Sequence, residues 1–127
     1  AGAGGVLDSA LSAEHGGHYQ SFTAVVGGRP VGWVCYGPTS CTAGTFDIYW
    51  IAVAPDRQRH GIGRMLIAFV EHLITEQGGR LAVVETAGKD IYGPTRAFYV
   101  RCGYEPVARL RDFYDEGDDK IVLLKRL

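Results

Sequence analysis

The sequence predicts a single α/β domain in which a mixed, mostly antiparallel twisted sheet holds a central parallel strand pair joined by one long helix. Three features carry that prediction. The first half alternates β-rich runs with turn signals, as a short antiparallel meander does. The apolar period then lengthens from two to three and four, which is the period of a helix packed on one side. A nearly continuous apolar run follows that helix, and the order strand, helix, strand implies a right-handed parallel crossover. With 127 residues, 46% of them hydrophobic and 21% charged, the chain has a globular balance. A domain of this size buries roughly two-thirds of the surface its unfolded chain exposes, so its core needs no metal or disulfide.

The elements follow in order. Ala1–Gly5 is glycine-rich and resembles a linker or tail. Val6, Leu7, Ala10 and Leu11 recur at helical spacing and predict a short helix over Val6–Glu14, ended by Gly16-Gly17. Ser21–Val26 and Pro30–Tyr36 read as strands joined at Gly27-Gly28-Arg29, the chemistry of a hairpin. Thr45–Ala54 reads as a third strand, stopped by Pro55. Over Gly61–Gln77 the side chains of Met65, Leu66, Phe69, Val70, Leu73 and Ile74 form one stripe, and Gly78-Gly79 can end that helix. Leu81–Val84 reads as a strand covered on both faces, and Thr95–Arg101 as a second helix ending at Gly103. Tyr104–Arg111 and Ile121–Leu127 read as two strands joined by an acidic loop, Asp112–Asp119. The chain shows no repeat and no domain boundary.

Charge and cysteine usage exclude several classes. A formal net charge of −1, with both signs spread along the chain, gives no footprint for nucleic acid or an anionic membrane. No apolar run approaches the ~20 residues of a membrane helix. Cys35, Cys41 and Cys102 lie far apart without the short paired spacings of a zinc site or a secreted disulfide framework, which fits reduced thiols in the cytoplasm. His15-Gly16-Gly17-His18 offers two imidazoles and no third ligand nearby, so no metal is expected. The expected partners are small molecules or proteins.

Between the third strand and the long helix lies Pro55-Asp56-Arg57-Gln58-Arg59-His60-Gly61-Ile62-Gly63-Arg64. Here glycines and arginines crowd a helix start, where unpaired amides and a partial positive charge favour an anion. A dinucleotide fingerprint would need a glycine where Leu66 stands, and the Gly-Lys-Ser/Thr ending of a P-loop is absent. Gln58-x-x-Gly61-x-Gly63, preceded by Ile51-Ala52-Val53 and Pro55, resembles the pyrophosphate-binding signature of the GNAT superfamily of acetyl-CoA-dependent N-acetyltransferases. The second half of that family's pattern is similar to Ala97-Phe98-Tyr99-Val100-Arg101-Cys102-Gly103-Tyr104. The resemblance covers about Pro30 to Leu127.

The resemblance implies an acetyl group moved from acetyl-CoA to an amine of a small molecule, an amino acid derivative or a protein. It implies a pyrophosphate held at Gln58, Arg59, His60, Gly61, Ile62, Gly63 and Arg64, and a pantetheine arm between the strands Tyr49–Val53 and Leu81–Glu85, beside Ile51, Ala52 and Val53. Tyr99 falls where similar enzymes place a tyrosine acid, and the Ile51 N–H is the candidate to polarise the thioester carbonyl. Asp47 and Glu85 are the two candidate bases, with a water-routed proton as the alternative. Strict alternation puts Asp47, Tyr49, Ile51 and Val53 on one face, and a bulge would break that parity. The acidic loop, with Asp112, Asp115, Glu116, Asp118 and Asp119, is either a solvated turn or an attractor of a cationic amine.

The chain departs from the family in two places. Only Ala1–Gln20 is left for the usual first strand and helix, so the chain reads as N-terminally shortened, with an open sheet edge that a second copy or the glycine-rich tail would cover. Tyr92 stands seven residues before Tyr99 where many relatives carry an asparagine that helps hold CoA. The competing expectation is a catalytically weak acyl-CoA-binding domain serving a larger enzyme.

Overall fold

The computed structural model describes residues 11–16 and 19–127, with side chains from Tyr19 onward. Its strands are β1 (Leu11–Gly16), β2 (Tyr19–Val26), β3 (Arg29–Pro38), β4 (Thr45–Val53), β5 (Leu81–Ala87), β6 (Glu105–Asp115) and β7 (Asp118–Arg126). Its helices are α1 (Ile62–Glu76) and α2 (Gly93–Arg101), each preceded by a single 3₁₀ turn, at Pro55–Arg57 and Asp90–Tyr92. The seven strands form one sheet in the order β1-β2-β3-β4-β5-β7-β6. Every neighbouring pair is antiparallel except β4 and β5, the parallel pair that α1 connects. The mixed sheet with one central parallel pair is the predicted fold class.

The helix expected over Val6–Glu14 is corrected for Leu11–Glu14, which lie in β1; Val6–Ala10 fall outside the described residues. β1 pairs with β2 along six residues, from Leu11↔Ala24 to Gly16↔Tyr19. A strand of this chain therefore covers the edge of β2 that the sequence left open, and β1 becomes the edge of the sheet. The acidic loop also contracts. β6 runs on to Asp115 and β7 begins at Asp118, so the turn is Glu116-Gly117, with Gly117 at φ 73°.

α1 buries Ile62, Leu66, Ile67, Val70 and Ile74 against Val34, Phe46, Ile48, Ala82 and Val84 of the central strands. It ends as the sequence predicts: Gly78 takes φ 81° and the Gly79 N–H donates to the Ile74 carbonyl at 2.8 Å. Tyr99 and Cys102, at the end of α2, join the same core with Ile121 and Leu123. The Arg64 guanidinium donates to the Arg101 carbonyl at 2.8 Å, fixing the start of α1 to the end of α2. Both helices thus pack on one face of the sheet. Among the described residues no helix is long and apolar enough to cross a membrane.

Candidate active site

The parallel ladder between β4 and β5 is short. It runs from Thr45↔Leu81 to Ile48↔Val84 and stops, although both strands continue, to Val53 and Ala87. Beyond Ile48 and Val84 the strands part, and their facing backbone groups have no strand partner. The opening is a cleft of about 580 Å³. Tyr49, Trp50 and Ile51 line it from β4, and Glu85, Thr86 and Ala87 from β5. Tyr92, Thr95 and Tyr99 close it from the α2 side, and Tyr114 and Asp118 from the β6–β7 hairpin.

A bulge decides which residues face it. The β3–β4 pairing passes from Cys35↔Trp50 to Tyr36↔Ile48, so Tyr49 is the extra residue. Before it, Phe46 and Ile48 point into the core; after it, Ile51 and Val53 do. Asp47 therefore shares the helix-free face with Trp50 and Ala52, and the strict alternation that grouped it with Ile51 and Val53 fails at Tyr49. The Asp47 carboxylate accepts a hydrogen bond from the Thr39 hydroxyl at 2.8 Å, and its position beside the paired part of β5 leaves it outside the cleft lining. Glu85 does line the cleft. Ala82, Val84 and Thr86 face the core, so Glu85 projects to the helix-free face, where the Lys120 ammonium stands 2.7 Å from its Oε2.

Tyr99 is 3% exposed and borders the cleft from the helix face. Burial pushes its phenol up to about 12, with the neighbouring Cys102 adding in the same direction, so it keeps its proton over the neutral range. Phe98 and Tyr104 pack edge-on against its ring, at centroid distances of 5.3 and 5.8 Å. Tyr92, 45% exposed, lines the same opening.

The segment at the start of α1 lies next to this gap. Gln58 folds back on its own strand, its Nε2 donating to the Val53 carbonyl at 3.2 Å, and Arg59 takes φ 67°. Gly61 caps α1 at φ 81°, a conformation costly for residues with a side chain, and a β-carbon there would meet nothing within 4 Å. The first helical bond runs from the Met65 N–H to the Gly61 carbonyl, and no side chain caps the helix. The amides of Ile62, Gly63 and Arg64 are therefore the unpaired donors of a helix start. Asp56 is held away from them by a bidentate pair with Arg29, both contacts at 2.7 Å, and the hydrogen bond from that guanidinium lowers the carboxyl from its ordinary value. Arg59, His60 and Gly61 are exposed, Ile62 is buried, and Arg64 is committed to α2.

The structure thus assembles Ile51, Glu85, Tyr92 and Tyr99 around one opening, sets Gln58–Arg64 beside it, and leaves Asp47 out. It adds Tyr49, Trp50, Thr86, Thr95 and Tyr114, which sequence reasoning did not select as site residues. The acidic run gave one signal. Asp112, Asp115 and Asp119 accept backbone N–H bonds within the hairpin, and Arg109 pairs with Asp119; Asp118 alone of the run lines the cleft. Among the described residues, no group of His, Cys, Asp or Glu side chains could hold a metal ion; His18 lies outside them.

A mixed sheet whose parallel pair opens beside an uncapped helix start is the arrangement that the sequence resemblance implies. A sequence model of the acetyltransferase (GNAT) domain matches residues 17–106. A crystal structure of a protein assigned to the GNAT acetyltransferases of Desulfovibrio desulfuricans is 48% identical, with a TM-score of 0.84, over 86% of this chain and 69% of that one. The fold recurs at lower identity. An aminoglycoside 6'-N-acetyltransferase complexed with coenzyme A has a TM-score of 0.75 at 19% identity, over 87% of this chain and 73% of that one. A Bacillus subtilis acetyltransferase in complex with CoA has a TM-score of 0.76 at 21% identity, over 87% and 78% of the two chains. No curated protein sequence matches the chain. The chain belongs to the GNAT acetyltransferase family and is an acyltransferase.

Proposed function

We propose that the protein is an N-acetyltransferase that moves the acetyl group of acetyl-CoA directly to a primary amine of a small molecule, an amino acid derivative or a protein. The observation that carries this reading is the parting of β4 and β5 beyond Ile48 and Val84, beside the unpaired amides of Ile62–Arg64. The residues fit the co-substrate. A diphosphate has open space at Gly61 and backbone donors at Ile62–Arg64, with the exposed Arg59 nearby, and the unpaired stretch of the two strands offers a narrow slot for a thiol-bearing arm. Since α1 lies on the helix face, the donor enters from that face, and the amine meets it from the face that carries Trp50 and Glu85.

The amine nitrogen attacks the thioester carbonyl carbon, the Ile51 N–H takes the developing oxyanion, and the carbon–sulfur bond breaks. Tyr99 gives its phenolic proton to the departing sulfur. A phenol at about 12 is a weaker acid than a free thiol near 8.5, so the proton moves as the bond breaks and the thiol leaves neutral from an apolar gap that also disfavours the thiolate. An ammonium has no lone pair, so Glu85, directly or through a water, first takes the proton that frees the nitrogen and passes it to solvent, and then takes the second proton that the nitrogen sheds after attack. The test follows free thiol while the protein is incubated with acetyl-CoA and a panel of amines. Amine-dependent, saturable thiol release supports the reading. Saturable CoA binding with no release for any amine would identify an acyl-CoA-binding accessory domain instead.

A further inference from the structure

Two residues that line the cleft each keep one oxygen that is shut off from solvent and has no hydrogen-bond partner within the chain. Asp118 Oδ1 and Thr86 Oγ1 are buried, and neither bonds to any other group of the protein. Thr86 is 9% exposed and borders the cleft from the core side, whereas Asp118 borders it at the start of β7, by alternation on the same helix-free face as Lys120 and Glu85. A carboxylate oxygen buried without a donor is costly, and a water, an ion or a ligand that reaches it supplies the missing partner. Neighbouring cations do not complete it. Lys120 is committed to Glu85 at 2.7 Å and to the ring of Phe113 at 4.3 Å. Lys89, 55% exposed at the rim, stands 3.8 Å from the other Asp118 oxygen, Oδ2.

The surrounding walls are aromatic. Tyr49, Trp50 and Tyr114 line the same opening and are 47%, 46% and 48% exposed. Aromatic faces beside a carboxylate attract an alkylammonium ion, through the ring quadrupole and a charge-assisted hydrogen bond together. A carboxylate next to that ammonium would be repelled by Asp118 and Glu85, with Lys120 already paired to Glu85 and Lys89 out at the rim.

We propose that Asp118 is the acceptor-binding carboxylate of this cleft, turning its Oδ1 toward the opening to take a hydrogen bond from a cationic alkyl- or arylalkylamine that lacks an adjacent carboxylate and whose body lies against Tyr49, Trp50 and Tyr114. The inference rests on the acetyl-transfer reading for the fate of the amine and not for its binding.

The test is calorimetric titration of the CoA-saturated protein with 2-phenylethylamine and with phenylalanine, which differ by one carboxylate. 2-Phenylethylamine binds at least about tenfold more tightly than phenylalanine. Asp118→Asn weakens its binding on the order of 10-fold to 100-fold and leaves CoA affinity unchanged, and Lys89→Met, which removes a competitor for Asp118, tightens it. Equal or better binding of phenylalanine, no binding of either probe, or an Asp118→Asn protein with unaltered amine affinity each overturns the proposal. If Asp118→Asn fails to fold, the Lys89→Met shift and the probe pair decide. Thiol release from acetyl-CoA is followed in parallel. Asp118-dependent binding without release removes the transferase reading and leaves this site standing, and release that ignores Asp118 does the reverse.

Discussion

Gly63 lies against the ring of Phe98: a β-carbon at position 63 would stand 3.2 Å from two of its ring atoms and 3.7 Å from the Val53 side chain. The second glycine of the family signature is therefore a packing residue that lets the first turn of α1 approach α2. Gly61 has the opposite surroundings, with open space around it and φ 81°. The two substitutions should separate. Gly63→Ala forces Phe98 to shift and lowers stability by about 1–3 kcal/mol in denaturant titration. Gly61→Ala costs about 1 kcal/mol of left-handed strain and, with its β-carbon in the space assigned to the diphosphate, weakens CoA binding measured by calorimetry. An unaltered CoA affinity in Gly61→Ala would count against a diphosphate at this turn.

Tyr99→Phe keeps the buried ring and removes only the proton donor. If the phenol acts as the acid, kcat should fall by about 10²- to 10⁴-fold with little change in the KM for acetyl-CoA. Because burial holds that phenol at about 12, its proton is in place well above neutrality, and any alkaline loss of activity centred near pH 9–10 belongs to another group. A Tyr99→Phe enzyme within threefold of the parent would remove this residue from the chemistry.

The long-period features of the fold were legible because they rest on periodicity that packing reinforces. The stripe of Leu66, Val70 and Ile74 is the buried face of α1, and Gly78-Gly79 end it. Short-range features were not. The helical spacing read into Val6–Glu14 does not hold for Leu11–Glu14, because pairing with β2 takes Leu11–Gly16 as a strand. The bulge at Tyr49 leaves no mark in composition, yet it decides that Asp47 and Ile51 face opposite ways. The acidic run likewise reads as uniform, and only the register of β6 on β7 separates the carboxylates that bond within the hairpin from Asp118 in the cleft.

That bulge yields a contrast between the two candidate bases. Asp47→Asn keeps an acceptor for the Thr39 hydroxyl and changes nothing inside the cleft, so steady-state kinetics should show kcat/KM within about threefold of the parent. Glu85→Gln removes one of the two carboxylates that line the cleft and frees Lys120, and kcat/KM for the amine should fall about 10²-fold, the low end for loss of a positioned base. The reverse ranking would restore Asp47 and require the sheet to open further along β4 than it does here.

The buried tyrosines set a limit on alkaline stability. Burial raises Tyr99 to about 12, and burial together with the Glu71 carboxylate, which accepts from the Tyr104 hydroxyl at 2.8 Å, raises Tyr104 as well. An unfolded tyrosine titrates near 10, so above that pH the unfolded chain has lost protons that the folded chain still holds, and the equilibrium moves toward unfolding. The contribution of Tyr99 is whole below pH 10 and is lost as pH rises toward about 12, at roughly 1.4 kcal/mol per pH unit while only the unfolded form ionises. Urea titrations between pH 9 and 11.5 should show stability falling over this range, and Tyr99→Phe should flatten the slope by about one proton. A Tyr99→Phe protein with the parental slope would mean that this phenol is solvated in the folded chain and not enclosed between Phe98 and Tyr104.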